Sequence, residues 1–292
     1  MKWLRENDDN ENVEDRRGRS AGKSIAAFGG VGALVIIVIS LFLGKDPSQL
    51  LEMANSMTVQ KSGTEEMVDS SKMHENEDLK IFSLRVFNSA NEVWAETFKD
   101  QLGKEYRKPT LVLYSDETSS PCGGANASVG PFYCPADEKI YLDLAFFFEL
   151  RDRFKAPGDL AMAYVTAHEM GHHIQKLLGV LDKTNALRGQ VSEKEANKIS
   201  VKTELQADFY AGLWAKNAEK MGIIQLEAGD MESAIQAAQA IGDDALQKAA
   251  QGYAMPDSFT HGTSAQRMYW FKKGYESGQI ADGDTFNNSS LN

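Results

Sequence analysis

Three of the chain's five histidines lie within six residues, and their spacing constrains the local fold. His168, Glu169 and His172 form the pattern H-E-x-x-H, which on a helix places both imidazoles on one face, where they can bind one metal ion. Glu169 lies near the same face and can act as a base on water there. His173 is rotated by about 100° from His172, so we expect a surface residue or one that supports the ligands. The alternative is an amphipathic helix whose histidines are incidental.

A third ligand must come from elsewhere in the chain. One branch of zinc enzymes with this motif has a glycine and then a histidine shortly after it, but Gln175 and Leu178 occupy those positions. The other common third ligand is a glutamate on a separate helix. The segment TELQADFYAGLWA offers Glu204, and Asp208, one turn later, can accept the N–H of a ligand histidine. Two carboxylates on a helix are more often solvated. Here the neighbouring residues are apolar, so the carboxylates of Glu204 and Asp208 require a binding partner such as a metal ion. The sequence therefore predicts one zinc ion per chain.

Residues 25–43 form an uncharged, apolar run of 19 residues, long enough to cross a bilayer as a helix. Basic residues precede it, so the positive-inside rule predicts that residues 1–24 are cytoplasmic and that the rest is exported. The predicted location is a bacterial inner membrane, with the domain in the periplasm or outside the cell. A cleavable signal peptide is the alternative, although Phe42 stands where cleavage requires a small residue. Residues 44–80 lack aromatic side chains and are predicted to be a flexible tether.

Charge and cysteines describe the exported part. The whole formal net charge of −11 falls after residue 44, where 25 basic and 36 acidic groups lie. Such an acidic domain is poorly suited to binding nucleic acid or anionic lipid. Cys122 and Cys134 are predicted to form a disulfide that closes a short loop. Two free thiols are the alternative, and a two-cysteine metal site is disfavoured because no histidine lies nearby.

Periodicity and capping residues predict an α+β domain over residues 81–292, mostly helical with a small sheet. A first helix ends near Gly103. Strands are predicted at 109–115, 125–129 and 139–147, and helices at 159–178, from Ser192 to just before Gly222, at 230–242 and after Thr263.

Several long motifs resemble one bacterial family, that of the "putative neutral zinc metallopeptidases". The motifs are NVEDRRG, GPFYCPADEKIYLDLAFF, AHEMGHHIQ, ELQADFYAGLWA, IGDDALQ and PDSFTHGTSAQR. The resemblance covers nearly the whole chain apart from the tether. It implies a zincin-like metallopeptidase domain behind a single membrane-spanning helix.

The chain is similar, more distantly, to membrane-associated gluzincins that process prenylated and misfolded membrane proteins. Glu204 and Asp208 match the glutamate-x-x-x-aspartate helix of that group, and Thr260, His261 and Arg267 match its late threonine-histidine and arginine. This likeness implies that His261 faces the substrate carbonyl as it becomes an oxyanion and that Arg267 supports the glutamate ligand. Glycine replaces the group's proline at position 262. Without the likeness, His261 would be interpreted as a loop histidine near a helix cap.

Zincins also bind substrate as an added strand along a sheet edge. The small, polar segment ANASVG at 125–130 leaves room for a peptide, and we expect Asn126 and Ala127 to contact it. An ordinary hairpin is the alternative.

These residues together predict a zinc-dependent peptidase that acts on a peptide or protein substrate, with Glu169 as general base. Two alternatives remain open. The domain could be a membrane-tethered binding or chaperone-like module with structural zinc or none, although such a module has no need of Glu169. It could also be a zinc hydrolase of a non-peptide amide, such as one of the cell wall.

Overall fold

The computed structural model describes residues 1–17, 70–115, 117–126, 130–288 and 291. The predicted membrane helix at 25–43 lies outside these residues, as does the tether up to residue 69. Among the helices of the described part, none is both long and apolar enough to span a bilayer. Met1–Gly18 and Asn76–Asn292 form one compact unit, which contains the candidate site.

The predicted α+β class is confirmed, because the unit is mostly helical with small sheets. In the described residues the strands are β1 (Lys2–Trp3), β2 (Val13–Asp15), β3 (Thr110–Tyr114), β4 (Glu117–Ser120), β5 (Gly123–Asn126), β6 (Phe132–Cys134), β7 (Lys139–Asp143) and β8 (Ile224–Gln225). The helices are α1 (Ser70–Thr97), α2 (Ala145–Asp152), α3 (Asp159–Leu177), α4 (Val180–Arg188), α5 (Glu193–Lys220), α6 (Asp230–Ala240), α7 (Asp243–Gln251) and α8 (Ser264–Ser277).

The main sheet contains two strands, β2 and β6, that the sequence does not predict. Its order is β2-β3-β7-β6, with β2, β3 and β7 parallel and β6 antiparallel to β7. The predicted strand at 125–129 instead contributes only its first residues to β5, which pairs with β4 in a separate hairpin. Strand β6 lies between two of the predicted strands, where Pro131 and Pro135 on either side favour a turn. The predicted strand at 139–147 ends at Asp143, whose carboxylate accepts the backbone N–H of Ala145 at the start of α2.

The predicted disulfide between Cys122 and Cys134 is confirmed. It joins the turn of the β4–β5 hairpin to the end of β6. Cys134 is completely buried, whereas Cys122 is exposed. The hairpin is therefore fastened to the strand that turns out to border the candidate site.

The N-terminal residues belong to this unit, whereas the sequence predicts a separate segment at 1–24. Strand β1 pairs antiparallel with β8, and β2 pairs in parallel with β3. Their many charges are matched by ion pairs with the rest of the unit, such as Arg85 with Asp8 and Arg17 with Glu77. A highly charged segment is normally solvated and separate from a folded domain. The prediction differs from the structure because these charges form ion pairs within the unit instead.

Helix α1 also begins earlier than expected, at Ser70, inside the predicted tether of 44–80 and before the predicted domain start at 81. Its first turns lack aromatic residues but are rich in Glu, Lys and Met, which have high helix propensity. Arg17 donates to the backbone carbonyl of Asn76 near its start.

Two helices carry the candidate site. Helix α3 follows Gly158 and ends before Gly179, whose φ of 74° stops the helix as predicted. The side chain of Ser192 caps α5 by accepting the N–H of Glu195. The two helices approach closely at Gly171, where a Cβ would lie 2.9 Å from the carbonyl oxygen of Ala207. Any larger residue at 171 would push the helices apart.

Candidate metal centre

The structure brings the three predicted ligands together. His168 and His172 lie on α3, Glu204 lies on α5, and one ligand atom from each falls within 4.8 Å of the others. The Nε2 atom of His168 is 3.1 Å from one carboxylate oxygen of Glu204, and that of His172 is 3.5 Å from the other oxygen. Side chains that lie up to 36 residues apart in sequence thus converge on one point.

His168 is held on its other nitrogen by a buried ionic network. Its Nδ1 is 2.8 Å from the carboxylate of Asp208, which also accepts hydrogen bonds from Tyr164 and from Arg267. Asp208, Tyr164 and Arg267 are all at most 2% exposed. Burial opposes the charged forms, but the charges and hydrogen bonds of this network outweigh it. The pKa of Asp208 is lowered to about 2, and the pKa of His168 is raised to about 10.

Arg267 therefore acts at a different place from the one the distant likeness implies. Its guanidinium donates to both carboxylate oxygens of Asp208 and to the hydroxyl of Tyr164, rather than to Glu204. A buried guanidinium requires an anion to balance its charge, and Asp208 is the one in contact. Arg267 thus supports His168 through Asp208.

His172 is held by a neutral group. Its Nδ1 lies 2.9 Å from Oε1 of Gln175, a fully buried side chain. The amide nitrogen of Gln175 donates to the backbone carbonyl of Thr203 and to the side chain of Gln206, both on α5. Gln175 therefore orients one ligand histidine and at the same time ties α3 to α5 beside Glu204.

These hydrogen bonds test whether a metal ion fits. Asp208 and the amide oxygen of Gln175 can only accept, so each ligand histidine carries its proton on Nδ1 when neutral. Both Nε2 atoms then face the carboxylate of Glu204, so either protons on the two imidazoles or one metal cation must lie between these acceptors. Two imidazoles and one carboxylate are the donor set of a catalytic zinc site, with a fourth position left open. The residues present fit zinc.

Glu169 follows His168 on α3 and lines the same cleft as the ligands. It is only 8% exposed. Burial raises the pKa of its carboxyl, while the nearby His172 and His168 oppose that rise. A carboxylate with a raised pKa beside a metal site is suited to take up a proton near neutral pH.

The cleft has a volume of about 670 Å³. Residues 130–133, which include the start of β6, form part of its wall, together with His261 and the aromatic rings of Phe146 and Phe154. Asn126 lies in the β4–β5 hairpin opposite Glu117 instead. Ala127 falls outside the described residues. Within the described part, the strand that borders the cleft is thus β6, a few residues after the predicted pair.

His173 is neither at the surface nor in contact with the ligands. It is fully buried, its Nε2 donates to the backbone carbonyl of Arg107, and its Nδ1 accepts from the hydroxyl of Tyr133. Burial lowers the pKa of this imidazole. The third histidine of the cluster therefore joins α3 to β6 and to the chain before β3.

Sequence reasoning missed Tyr164 and Gln175. A tyrosine on an apolar helix face favours an ordinary core role, and Gln175 is notable in the sequence only because it is not a histidine ligand. Both lie on α3, Tyr164 four residues before His168 and Gln175 three residues after His172. Those helical spacings place a side chain beside each ligand and are the signal that could have revealed them.

The chain matches, over residues 1–286, the family described as "Putative neutral zinc metallopeptidase". The chain belongs to this family. The matched region includes the N-terminal strands, both site helices and α8. Family membership agrees with a zinc site built from His168, His172 and Glu204.

Named relatives agree over long stretches. The uncharacterized protein YpfJ of Escherichia coli (strain K12) is 42% identical over 296 residues, which cover 99% of this chain and all of the relative. The uncharacterized protein Rv2575 of Mycobacterium tuberculosis (strain H37Rv) is 41% identical over 213 residues, 70% of this chain and 69% of the relative. No solved structure matches the chain.

Proposed function

We propose that the protein is a zinc-dependent metallopeptidase that hydrolyses bonds in a peptide or protein substrate. The observation that carries the proposal is the convergence of two histidine Nε2 atoms on Glu204 in a cleft that also contains Glu169. A structural zinc site would have no use for that extra carboxylate.

Bound zinc would lower the pKa of water in the site and polarise the scissile carbonyl. Glu169 takes a proton from that water as it attacks and delivers it to the leaving amine. His261 donates a hydrogen bond to the oxygen on which negative charge develops. Strand β6, the last strand of the described sheet, holds the substrate backbone along its edge.

The test is the Glu169→Gln variant of the full chain. We expect it to bind zinc as the wild type does, because glutamine replaces no ligand, and to hydrolyse an unfolded protein about 10² to 10⁴ times more slowly. Zinc content by elemental analysis and cleavage with and without a chelator are the measurements. Glu149→Gln, which changes a carboxylate that lines the same cleft but is not one of the three ligands, is the matched control and should stay active.

Three other results would contradict the proposal. Full activity of Glu169→Gln would exclude this residue as the base. A wild-type chain that takes up no zinc would favour a binding module. A zinc-loaded chain that cuts no peptide but cuts other amides would favour a non-peptide hydrolase.

Membrane attachment through residues 25–43 is also part of the proposal, supported by the length of that apolar run. We expect the full chain to sediment with bacterial inner membranes and a chain lacking residues 25–43 to remain in the supernatant. Recovery of both chains in the supernatant would contradict attachment.

A further inference from the structure

The segment that carries His261 is held in place by one carboxylate. Asp243, the first residue of α7, accepts the backbone N–H groups of Thr260, His261 and Gly262 with a single oxygen, at 2.8, 2.6 and 2.9 Å. Its own N–H donates to the carbonyl of Gly262 at 3.0 Å. The carboxylate thus gathers three consecutive donors from another segment of the chain, and Asp243 is only 8% exposed.

The second oxygen of Asp243 reaches the imidazole itself, 3.2 Å from Nδ1 of His261. Because a carboxylate only accepts, Nδ1 carries the proton in that contact, and the hydroxyl oxygen of Thr260, 3.0 Å from the same nitrogen, is then a second acceptor. Nε2 is then the nitrogen left for the cleft, which His261 lines together with Glu204 and Glu169. This is the arrangement in which an acceptor fixes both the rotation and the tautomer of a working histidine.

The neighbouring carboxylate has no such contact. Asp244 accepts from the backbone N–H and the hydroxyl of Ser264, at 2.7 and 2.8 Å. It secures the same loop three residues further on without touching His261. Two adjacent aspartates in the motif IGDDALQ therefore have separable tasks.

We infer that Asp243 is the positioning residue for His261, holding its backbone and its ring so that Nε2 serves the reaction in the cleft. The inference rests on the proposed function. It extends that function to a residue that contacts neither the ligands nor the reacting atoms.

The kinetic test compares Asp243→Asn with Asp244→Asn in the full chain. Asparagine keeps one oxygen that can accept from the backbone N–H groups. It lacks the negative charge of aspartate, and its amide nitrogen cannot accept a hydrogen bond from Nδ1 of His261. We expect kcat to fall about 10- to 100-fold for Asp243→Asn, with KM and zinc content unchanged, and to change less than about twofold for Asp244→Asn. Asp243→Glu, which restores the charge, should recover part of kcat.

A double variant separates positioning from general stability. Combined with His261→Ala, Asp243→Asn should cost nothing further, because residues that act as a unit are not additive. Additive losses, an unchanged kcat, or loss of zinc and of the melting transition in Asp243→Asn would each overturn the inference.

A spectroscopic measurement tests the inference without relying on activity. If the wild type cut no peptide, that result would count against the proposed function and not against the positioning of His261. The zinc-loaded wild type should show a protected Nδ1–H proton of His261 by NMR, assigned through its absence in His261→Ala. The signal should disappear in Asp243→Asn and persist in Asp244→Asn. Its presence in Asp243→Asn would overturn the inference.

A different observation concerns the N-terminal strands. The backbone of Arg16 donates to Leu113 and that of Leu111 to Asn12, at 2.7 and 2.9 Å, so β2 is a hydrogen-bonded member of the main sheet. Trp3 packs edge-on against Phe82 of α1, with 6.2 Å between ring centres. These contacts form only if both parts of the chain occupy one compartment.

We propose that residues 1–17 lie on the same side of the membrane as the candidate metal centre. A single crossing between residue 17 and residue 70 would separate β2 from β3. This replaces the predicted sidedness, with residues 1–24 in the cytoplasm and the domain exported, and the single crossing that such sidedness requires; only attachment to the membrane is kept.

Cysteine labelling of the full chain in intact cells tests this. Asn10→Cys and Lys272→Cys each place one thiol at an exposed position, one in each part. With a membrane-impermeant maleimide we expect the two variants to behave alike, either both labelled or both protected. Labelling of one but not the other would overturn the proposal. Lysed cells should label both, and the wild type, whose cysteines form the disulfide, should stay unlabelled.

Discussion

His168 and His172 stand one turn apart on the same helix, but opposite kinds of group hold them. An anion, Asp208, accepts from His168 and is itself balanced by Arg267. A neutral amide, Gln175, accepts from His172 and continues to the backbone of α5. The first support sets charge at the site, and the second sets the distance between the two helices. The four predictions that follow test this division of roles.

The largest effect is expected for Asp208→Ala. The change leaves the guanidinium of Arg267 buried without its anion, which typically costs about 3–5 kcal/mol. Chemical denaturation of the metal-free protein measures it. Asp182→Ala, which removes an exposed ion pair with Lys176, should change the free energy of unfolding by less than about 1 kcal/mol. Equal effects of the two changes would mean that the buried network does not carry charge as described.

The free energy of unfolding, measured as a function of pH, should also report the charge of Asp208. The pKa of Asp208 is lowered to about 2 from an ordinary value of 3.8. A carboxyl with a lowered pKa contributes stability that is fully present above its unfolded pKa and is lost as the pH falls through the folded one. We therefore expect a loss on the order of 2 kcal/mol between pH 4 and pH 2. Asp208→Asn should lack this part of the profile, and an unchanged profile would contradict the assignment.

Gln175→Ala should act on the metal rather than on charge. Loss of the amide frees the ring of His172 and loosens α3 from Thr203, so we expect zinc affinity to fall about tenfold, the lower end for such supporting groups. Competition with a chromophoric chelator measures the change. Gln190→Ala, which removes an exposed amide that donates to the backbone carbonyl of Ala186, should leave affinity unchanged. If Gln175→Ala bound zinc as the wild type does, the amide would have no role in holding the ligand.

The smallest effect is expected for Tyr164→Phe. The hydroxyl gives one hydrogen bond to Asp208 and accepts one from Arg267, but the ion pair persists without it. We expect a loss of about 1 kcal/mol in the free energy of unfolding. Tyr253→Phe, at an exposed position, should cost nothing measurable. A loss as large as that of Asp208→Ala would place the tyrosine, rather than the ion pair, at the centre of the network.

The sequence was sufficient to predict which side chains converge, because helical spacing relates the members within each helix and a glutamate on a separate helix is the common third ligand. His168 and His172 share a face at i and i+4, and the same spacing linked Glu204 to Asp208. Helical spacing also places Gln175 beside His172 but does not show that it supports this ligand, because a glutamine on a helix is ordinarily solvated and only the approach of α5 gives it partners.

The fold was predicted where patterns are long and missed where they are short. Strand β6 has three residues between two prolines, and β2 has three residues in a run of charges. Neither length allows an alternating pattern to be recognised, and both strands are formed by pairing with distant residues. Tertiary contact, rather than local preference, decides such strands.

Helices α5 and α8 cross at a pair of glycines. A Cβ on Gly212 would lie 1.9 Å from the carbonyl oxygen of Phe271, and one on Gly274 would lie 1.9 Å from that of Phe209. Each glycine thus makes room for the other helix's main chain. A side chain at either position would therefore push the two helices apart, and no change at the other glycine would relieve the clash. These two glycines therefore set how closely α8, which carries Arg267, packs against α5.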